Sequence, residues 1–240
     1  MANVYWIGGA PDAGKSTVAE LLCARYGLMA YHYDGAEQSH LSRLPCRSAY
    51  RTLMDASFDG RWLDAEPKEL CELALASFRE RWPLVLEDLR GFGTRQVVAE
   101  GFGLMPEIVG AVAAPERAVF LVASEEFKSN SVARRDKPEG RHQTRDPDRA
   151  RRNMLDRDTL IAEEVRVQAD KLAMLVVEAR LGRSAEGLAN LVATWFRLTA
   201  EASASAALRA ELSPETADDS VLWVGNDSFA DSSEPASPCI

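Results

Sequence analysis

The chain has 240 residues, 46% of them apolar, and a formal net charge of −9. That length supports one substantial α/β domain, or a domain followed by a tail, and the acidic balance argues against a general nucleic-acid binder. No apolar run approaches the roughly 18 residues of a membrane span, and no secretory leader precedes the first apolar segment, so a cytoplasmic protein without membrane partners is expected.

Val4-Tyr5-Trp6-Ile7 is a short apolar run rich in β-branched and aromatic residues, and predicts a buried strand. The next residues are Gly9-Ala10-Pro11-Asp12-Ala13-Gly14-Lys15-Ser16, which fit the phosphate-binding pattern G-x-x-x-x-G-K-[ST] at every fixed position. A helix follows, with Val18, Leu21, Leu22 and Arg25 at helical spacing. Strand, glycine-rich turn and helix are the context this motif requires. Glycines bring backbone N–H groups toward a polyphosphate, and the helix N-terminus adds unpaired N–H groups and partial positive charge. Lys15 is placed to reach the β- and γ-phosphates, and the Ser16 hydroxyl to ligate Mg²⁺. Gly9 to Ser16, with Thr17, are the expected nucleotide-binding residues.

Residues 28–33 predict a second strand, ending at Asp34-Gly35. Residues 36–63 are mixed, with short helical stretches near 40–44 and 49–58. Pro67 to Leu89 is strongly helical: Pro67 suits a first turn, and Pro83 is expected to kink or divide the helix. Residues 96–99 and 118–122 predict the third and fourth strands, the third ending at Glu100. A helix is expected over 125–135, and then the composition changes. Arg134 to Arg152 carries eight Arg or Lys against four Asp or Glu, with Pro138, Gly140 and Pro147. An amphipathic helix over 158–169, a fifth strand over 173–177 and a helix over 184–198 close the domain. Beyond Thr199 the chain is rich in Ala, Ser, Asp and Glu and lacks the apolar density to fold alone. Its one apolar island is Val221–Val224, which could add an edge strand or dock on a partner. Four cysteines and three histidines are scattered, without metal-ligand spacing.

Strands alternating with helices predict a doubly wound parallel sheet with helices on both faces. Ligands in such sheets bind beyond the carboxyl ends of the strands, which places the glycine-rich loop, Asp34, Glu100, Ser124 and Glu178 around one crevice.

With its N-terminal phosphate loop, an acid after the second strand, an arginine-rich insert after the fourth and a closing strand and helix, the chain over about residues 3–198 resembles the P-loop small-molecule kinases. Shikimate kinase, gluconate kinase, chloramphenicol phosphotransferase and the nucleoside monophosphate kinases belong to that group. Arg157-Asp158-Thr159-Leu160-Ile161-Ala162 and Glu178–Gly187 look like its C-terminal third. The resemblance implies a P-loop NTPase fold with strand order 2-3-1-4-5, ATP and Mg²⁺ as cofactors, and a lid over the nucleotide. It divides the chain into a kinase domain, 1–198, with a helical acceptor segment at 36–89 and an arginine-rich lid at 134–152, and a tail at 199–240. It implies that Asp34 faces the acceptor. Glu100 takes the place of an acid that is more often Asp in that group, and is expected at Mg²⁺, directly or through water, or at the acceptor. Arg135, Arg141, Arg145 and Arg157 are the expected phosphate-contacting arginines, with Arg141 assisting transfer.

The expected activity is transfer of the γ-phosphate of ATP to a hydroxyl of a small molecule: a sugar, nucleoside, metabolite or antibiotic. Lys15, Asp34 and Arg141 are the expected catalytic residues, with Asp34 orienting and deprotonating the hydroxyl. Tyr31, Tyr33, Phe58, Trp62 and Phe102 are candidates for an acceptor pocket or for ordinary core, and His32 and His40 for acceptor contacts or structure. Two other readings fit the same motif. One is a P-loop NTPase that hydrolyses ATP, the other a non-catalytic nucleotide-sensing module. Homo-oligomerisation is left open.

Overall fold

The structure, a computed structural model, describes residues 1–134 and 143–199. Among these, five strands form one parallel sheet: β1 (Val4–Gly9), β2 (Met29–His32), β3 (Val97–Glu100), β4 (Ala118–Ala123) and β5 (Leu175–Ala179). Their order across the sheet is β2-β3-β1-β4-β5, the order of the P-loop kinase fold.

Alternation along the strands divides the core into two layers. Val4, Trp6, Ala99, Phe120 and Val122 face one side. There they meet α5 (Pro67–Arg90), α6 (Pro106–Val109) and α8 (Pro147–Lys171). Tyr5, Ile7, Val98, Val119 and Leu121 face the other and meet α1 (Lys15–Tyr26) and α9 (Ala185–Phe196). Covered on both faces, β1, β3 and β4 read as near-continuous apolar runs. The acceptor-segment residues outside α5 form three short helices, α2 (Glu37–Arg43), α3 (Ala49–Asp55) and α4 (Phe58–Trp62). The helix α7 (Glu125–Arg134) follows β4.

Two prolines act differently from what the sequence suggests. Pro83 lies inside α5, which runs unbroken over 24 residues from a capping box made by Glu66 and Glu69. Pro147 stands in the first turn of α8, where its missing N–H costs nothing, while the Asp146 side chain accepts from Arg149 N. Helix therefore extends through 147–157, beyond the expected start at 158. The fifth strand begins two residues late for a related reason. Ala173 adopts a left-handed φ of 50° and Met174 N donates to Ala169 O, so both residues close the end of α8.

Residues 135–142 of the expected lid lie outside the described residues, and with them Arg135 and Arg141; its residues 147–152 form the first turns of α8. The tail from residue 200, with Val221–Val224, also lies outside the described residues. No helix among the described residues is long and apolar enough to cross a membrane.

Candidate active site

The phosphate loop is built by backbone conformations that few residue types allow. Gly9 has φ +114°, and a Cβ there would stand 2.1 Å from Leu121 O. Gly14, at the N-cap of α1, has φ +81° and open space around it. Asp12 is also left-handed, at φ 58°. Ala10 N donates to Leu121 O at 2.9 Å, which ties the start of the loop to β4. No side chain caps α1 and no acid stands in its first turn, so its N-terminal N–H groups and dipole remain available to an anion. Lys15 is buried and its Nζ donates to Ala10 O at 2.7 Å. Burial pulls the Lys15 pKa below the usual lysine value, while Asp34, Glu100, Asp12 and Asp158 act to hold it up.

The register of the parallel strands brings the acids to this loop. Glu100 is paired with Ile7 on one side and with His32 on the other. Its side chain is buried, and its two oxygens are held separately. Ser16 Oγ donates to Oε2 at 3.1 Å, and His32 Nδ1 lies 2.8 Å from Oε1. The hydrogen bond to Glu100 raises the His32 pKa above the usual imidazole value, against the opposing effect of burial. Ser16 and Glu100 thus present a hydroxyl and a carboxylate oxygen side by side. That is a hard-oxygen donor set of the kind that holds Mg²⁺ together with substrate phosphates, and the residues fit that ion.

Asp34 follows β2 by two residues. Its surface is open to solvent on one side, yet enclosure by protein on the others pushes its carboxyl up to about 6. Lys15 and Arg81 act against that rise, and Glu100 and Glu37 add to it. The loop lysine, Glu100 and Asp34 therefore sit within one electrostatic neighbourhood.

Beside the loop lies a cavity of about 140 Å³. Asp12, Ala13, Gly14 and Thr17 form one wall, and Phe127, Ala179, Arg183 and Leu188 contribute to the others.

Of the two expected arginines that are described, neither stands alone. Arg145 bonds Asp59 and Asp64, at 3.1 and 2.5 Å, and its backbone N–H donates to Asp59 Oδ1. This joins the residues before α8 to the α4 region. Arg157 bonds Asp158 Oδ1 through Nη2 at 2.5 Å and Nε at 2.8 Å, with its guanidinium 4.8 Å from the Trp62 ring centroid. Tyr33 and Phe102 belong to the core layer with Phe78, against which both rings pack edge-on.

Sequence reasoning passed over Arg81, Asp88, Lys128 and Asp158. Arg81 is only 2% exposed. Its Nη2 donates to Tyr33 O at 2.7 Å, its Nε to His40 Nδ1 at 3.1 Å, and its guanidinium lies 3.8 Å from the Tyr33 ring centroid. His40 Nε2 in turn meets Asp88 Oδ2 at 2.8 Å. Asp158 is buried in α8 and also pairs with Lys128 of α7. One signal was available for the two buried ones: Arg81 and Asp158 are charged residues standing on apolar helix stripes, among Phe78 and Val85, and Met154 and Ile161.

No protein-family model matches the chain, and no curated protein sequence matches it. Several solved structures align with the chain over most of its length. Shikimate kinase from Acinetobacter baumannii, in complex with shikimate, is 19% identical with a TM-score of 0.44, over 80% of this chain and 91% of that one. A sugar kinase from Janibacter sp. is 13% identical with a TM-score of 0.40, over 84% and 98%. A protein from Eubacterium ventriosum, titled uncharacterized, is 12% identical with a TM-score of 0.42, over 81% and 97%.

Proposed function

We propose that this chain is an ATP-dependent phosphotransferase acting on a hydroxyl of a small molecule. The observation that carries the proposal is the convergence of Lys15, the Ser16–Glu100 oxygen pair and Asp34 at the carboxyl ends of β1, β2 and β3. The loop backbone and the free start of α1 would cradle the phosphates. The neighbouring cavity, with Phe127 and Leu188 among its apolar walls, offers the base a seat. Mg²⁺, held by Ser16 and Glu100, would supply charge neutralisation on the phosphate oxygens. His32 keeps the Glu100 carboxylate from rotating away from Ser16.

Phosphoryl transfer needs positioning and charge stabilisation more than covalent chemistry from the protein. Asp34 fills the remaining role. A carboxyl near 6 is still mostly ionised at neutral pH, and it is a stronger base than an ordinary aspartate. Asp34 orients the acceptor hydroxyl and takes its proton as oxygen bonds to the γ-phosphorus. The bond from that phosphorus to the β,γ-bridging oxygen breaks, and ADP departs. Lys15 meets the charge on the phosphate oxygens.

The test is ATP and Mg²⁺ incubated with a library of hydroxylated small molecules, analysed by mass spectrometry for gain of one phosphoryl group. ADP formed in step with a phosphorylated product supports the proposal. ADP and inorganic phosphate released at equal rates with or without the library would replace it with ATP hydrolysis.

A further inference from the structure

Asp34, the base of the proposed transfer, lies beyond the reach of the sheet. Ladder pairing between β2 and β3 ends at His32 opposite Glu100, and a last bond runs from Tyr33 N to Glu100 O at 2.9 Å. Asp34 is the next residue, at the start of a turn in which Glu37 N donates to its carbonyl at 3.2 Å. Tyr33 fixes the chain at this point. It is 0% exposed. A Cβ on Gly101 or Gly103 would stand within 2.3 Å of its side chain, so the ring packs directly against the backbone after β3. Its carbonyl belongs to the same rigid peptide unit as Asp34 N, and that carbonyl takes Arg81 Nη2 at 2.7 Å.

Arg81 is itself immobilised. Its guanidinium lies 3.8 Å from the Tyr33 ring centroid and 4.7 Å from that of Tyr50. Its Nε donates to His40 Nδ1 at 3.1 Å. A guanidinium only donates, so Nδ1 carries no proton, and His40 Nε2–H donates to Asp88 Oδ2 at 2.8 Å. Arg81 and Asp88 stand two turns apart on one side of α5, and His40, on α2, spans them. No carboxylate among the described residues bonds the buried guanidinium directly; its acceptors are a carbonyl and an imidazole. Packing α2 on α5 does not require a buried charge bonded to two neutral acceptors, which is costly. Holding two acceptors at fixed angles does call for the planar fork of arginine.

We propose that Arg81 is a positioning residue for the transfer. It fixes the peptide between Tyr33 and Asp34, and so the direction in which the Asp34 carboxylate meets the acceptor hydroxyl; the His40–Asp88 pair fixes Arg81. Calling Asp34 the base rests on the phosphotransferase reading, whereas the hold on its backbone does not.

The experiment compares wild type, Arg81→Lys, His40→Leu, His40→Gln and Val165→Ala as full chains. Each is assayed for ADP formation with ATP, Mg²⁺ and the library compound that wild type phosphorylates. Calorimetry gives Mg²⁺–AMP-PNP affinity, and mass spectrometry gives amide hydrogen exchange over residues 33–37. Lysine keeps the charge but replaces the fork with one nitrogen. Arg81→Lys should therefore lower kcat by about 10²-fold, leave AMP-PNP affinity within about twofold and speed exchange over 33–37 by about tenfold or more. His40→Leu should act in the same direction. His40→Gln, whose amide offers one acceptor and one donor side, should recover most of that loss. Val165→Ala opens a core cavity on α8 and leaves the Arg81 contacts intact; below its melting temperature its turnover should stay near wild type. Arg81→Lys with kcat within about twofold of wild type, or with unchanged exchange over 33–37, overturns the inference. So does a loss of turnover in Val165→Ala as large as in Arg81→Lys. If Arg81→Lys does not fold, equal turnover in His40→Leu and His40→Gln overturns it. A wild type that phosphorylates nothing in the library removes the phosphotransferase reading, and exchange over 33–37 then decides alone whether Arg81 holds Asp34.

Discussion

Asp88→Ala should destabilise the protein well beyond what its surface position suggests. Its carboxylate accepts from Tyr31 Oη at 3.1 Å, from His40 Nε2 at 2.8 Å and from Arg43 Nη1 at 3.2 Å. Arg43 is 32% exposed on its side chain, so its share is small. Tyr31 and His40 are 6% and 0% exposed, and both would lose their acceptor. Two buried donors left unsatisfied cost ~1–3 kcal/mol each, so the total is about 2–6 kcal/mol. For a domain of this size ~2–4 °C accompanies each kcal/mol, so the melting temperature should fall by about 4–24 °C. The damage should also reach the site, because His40 orients Arg81, which holds the Tyr33 carbonyl next to Asp34. Burial holds the His40 pKa below the usual imidazole value. As pH falls below ~6.5 the unfolded chain therefore takes up the proton first, and stability should decline through that window. Thermal and urea unfolding of Asp88→Ala and Arg43→Ala, each at several pH values, provide the assay. Asp88→Ala within about 1 kcal/mol of wild type, or Arg43→Ala as damaging as Asp88→Ala, would refute the reasoning.

Asp34→Asn should lower turnover by about 10²-fold or more while Mg²⁺–AMP-PNP affinity, read by calorimetry, stays nearly unchanged. In the wild type, turnover should drop as pH falls through about 6, because the base must be ionised; a flat rate across that range would contradict the assignment. Gly9→Ala should abolish nucleotide binding, measured by calorimetry, because its Cβ meets Leu121 O and its φ is strained. Glu100→Gln should weaken AMP-PNP binding in Mg²⁺ far more than in EDTA, and equal weakening in both would remove Glu100 from the metal site.

The parts of this account visible in the sequence are those encoded locally. The phosphate loop is contiguous, and β1, β3 and β4 stand out because burial on both faces makes them continuous apolar runs. The acids Asp34 and Glu100 could be found because the ends of parallel strands converge, so position along the chain predicted position in space. Boundaries failed where a residue serves two elements. Pro147 reads as a breaker but starts α8, and Ala173-Met174 read as strand but finish that helix. The networks were invisible for another reason. Arg81 meets His40 across 41 residues, and Arg145 meets Asp59 across 86. No periodicity pairs such positions; only a charge on an apolar stripe hints that a partner exists. The same holds for Lys128, which looks like an ordinary surface lysine until Asp158 is found beneath it.

The central claim is that this site moves a phosphoryl group from ATP to a small hydroxyl compound. The most direct measurement incubates wild type and Lys15→Ala with ATP labelled in the γ-phosphate, Mg²⁺ and the hydroxylated library, and follows the label by mass spectrometry. The account predicts label in one acceptor, matched mole for mole by ADP, with wild type and neither product with Lys15→Ala. Label recovered only in inorganic phosphate, or no ADP at all from a folded wild-type protein, would contradict it.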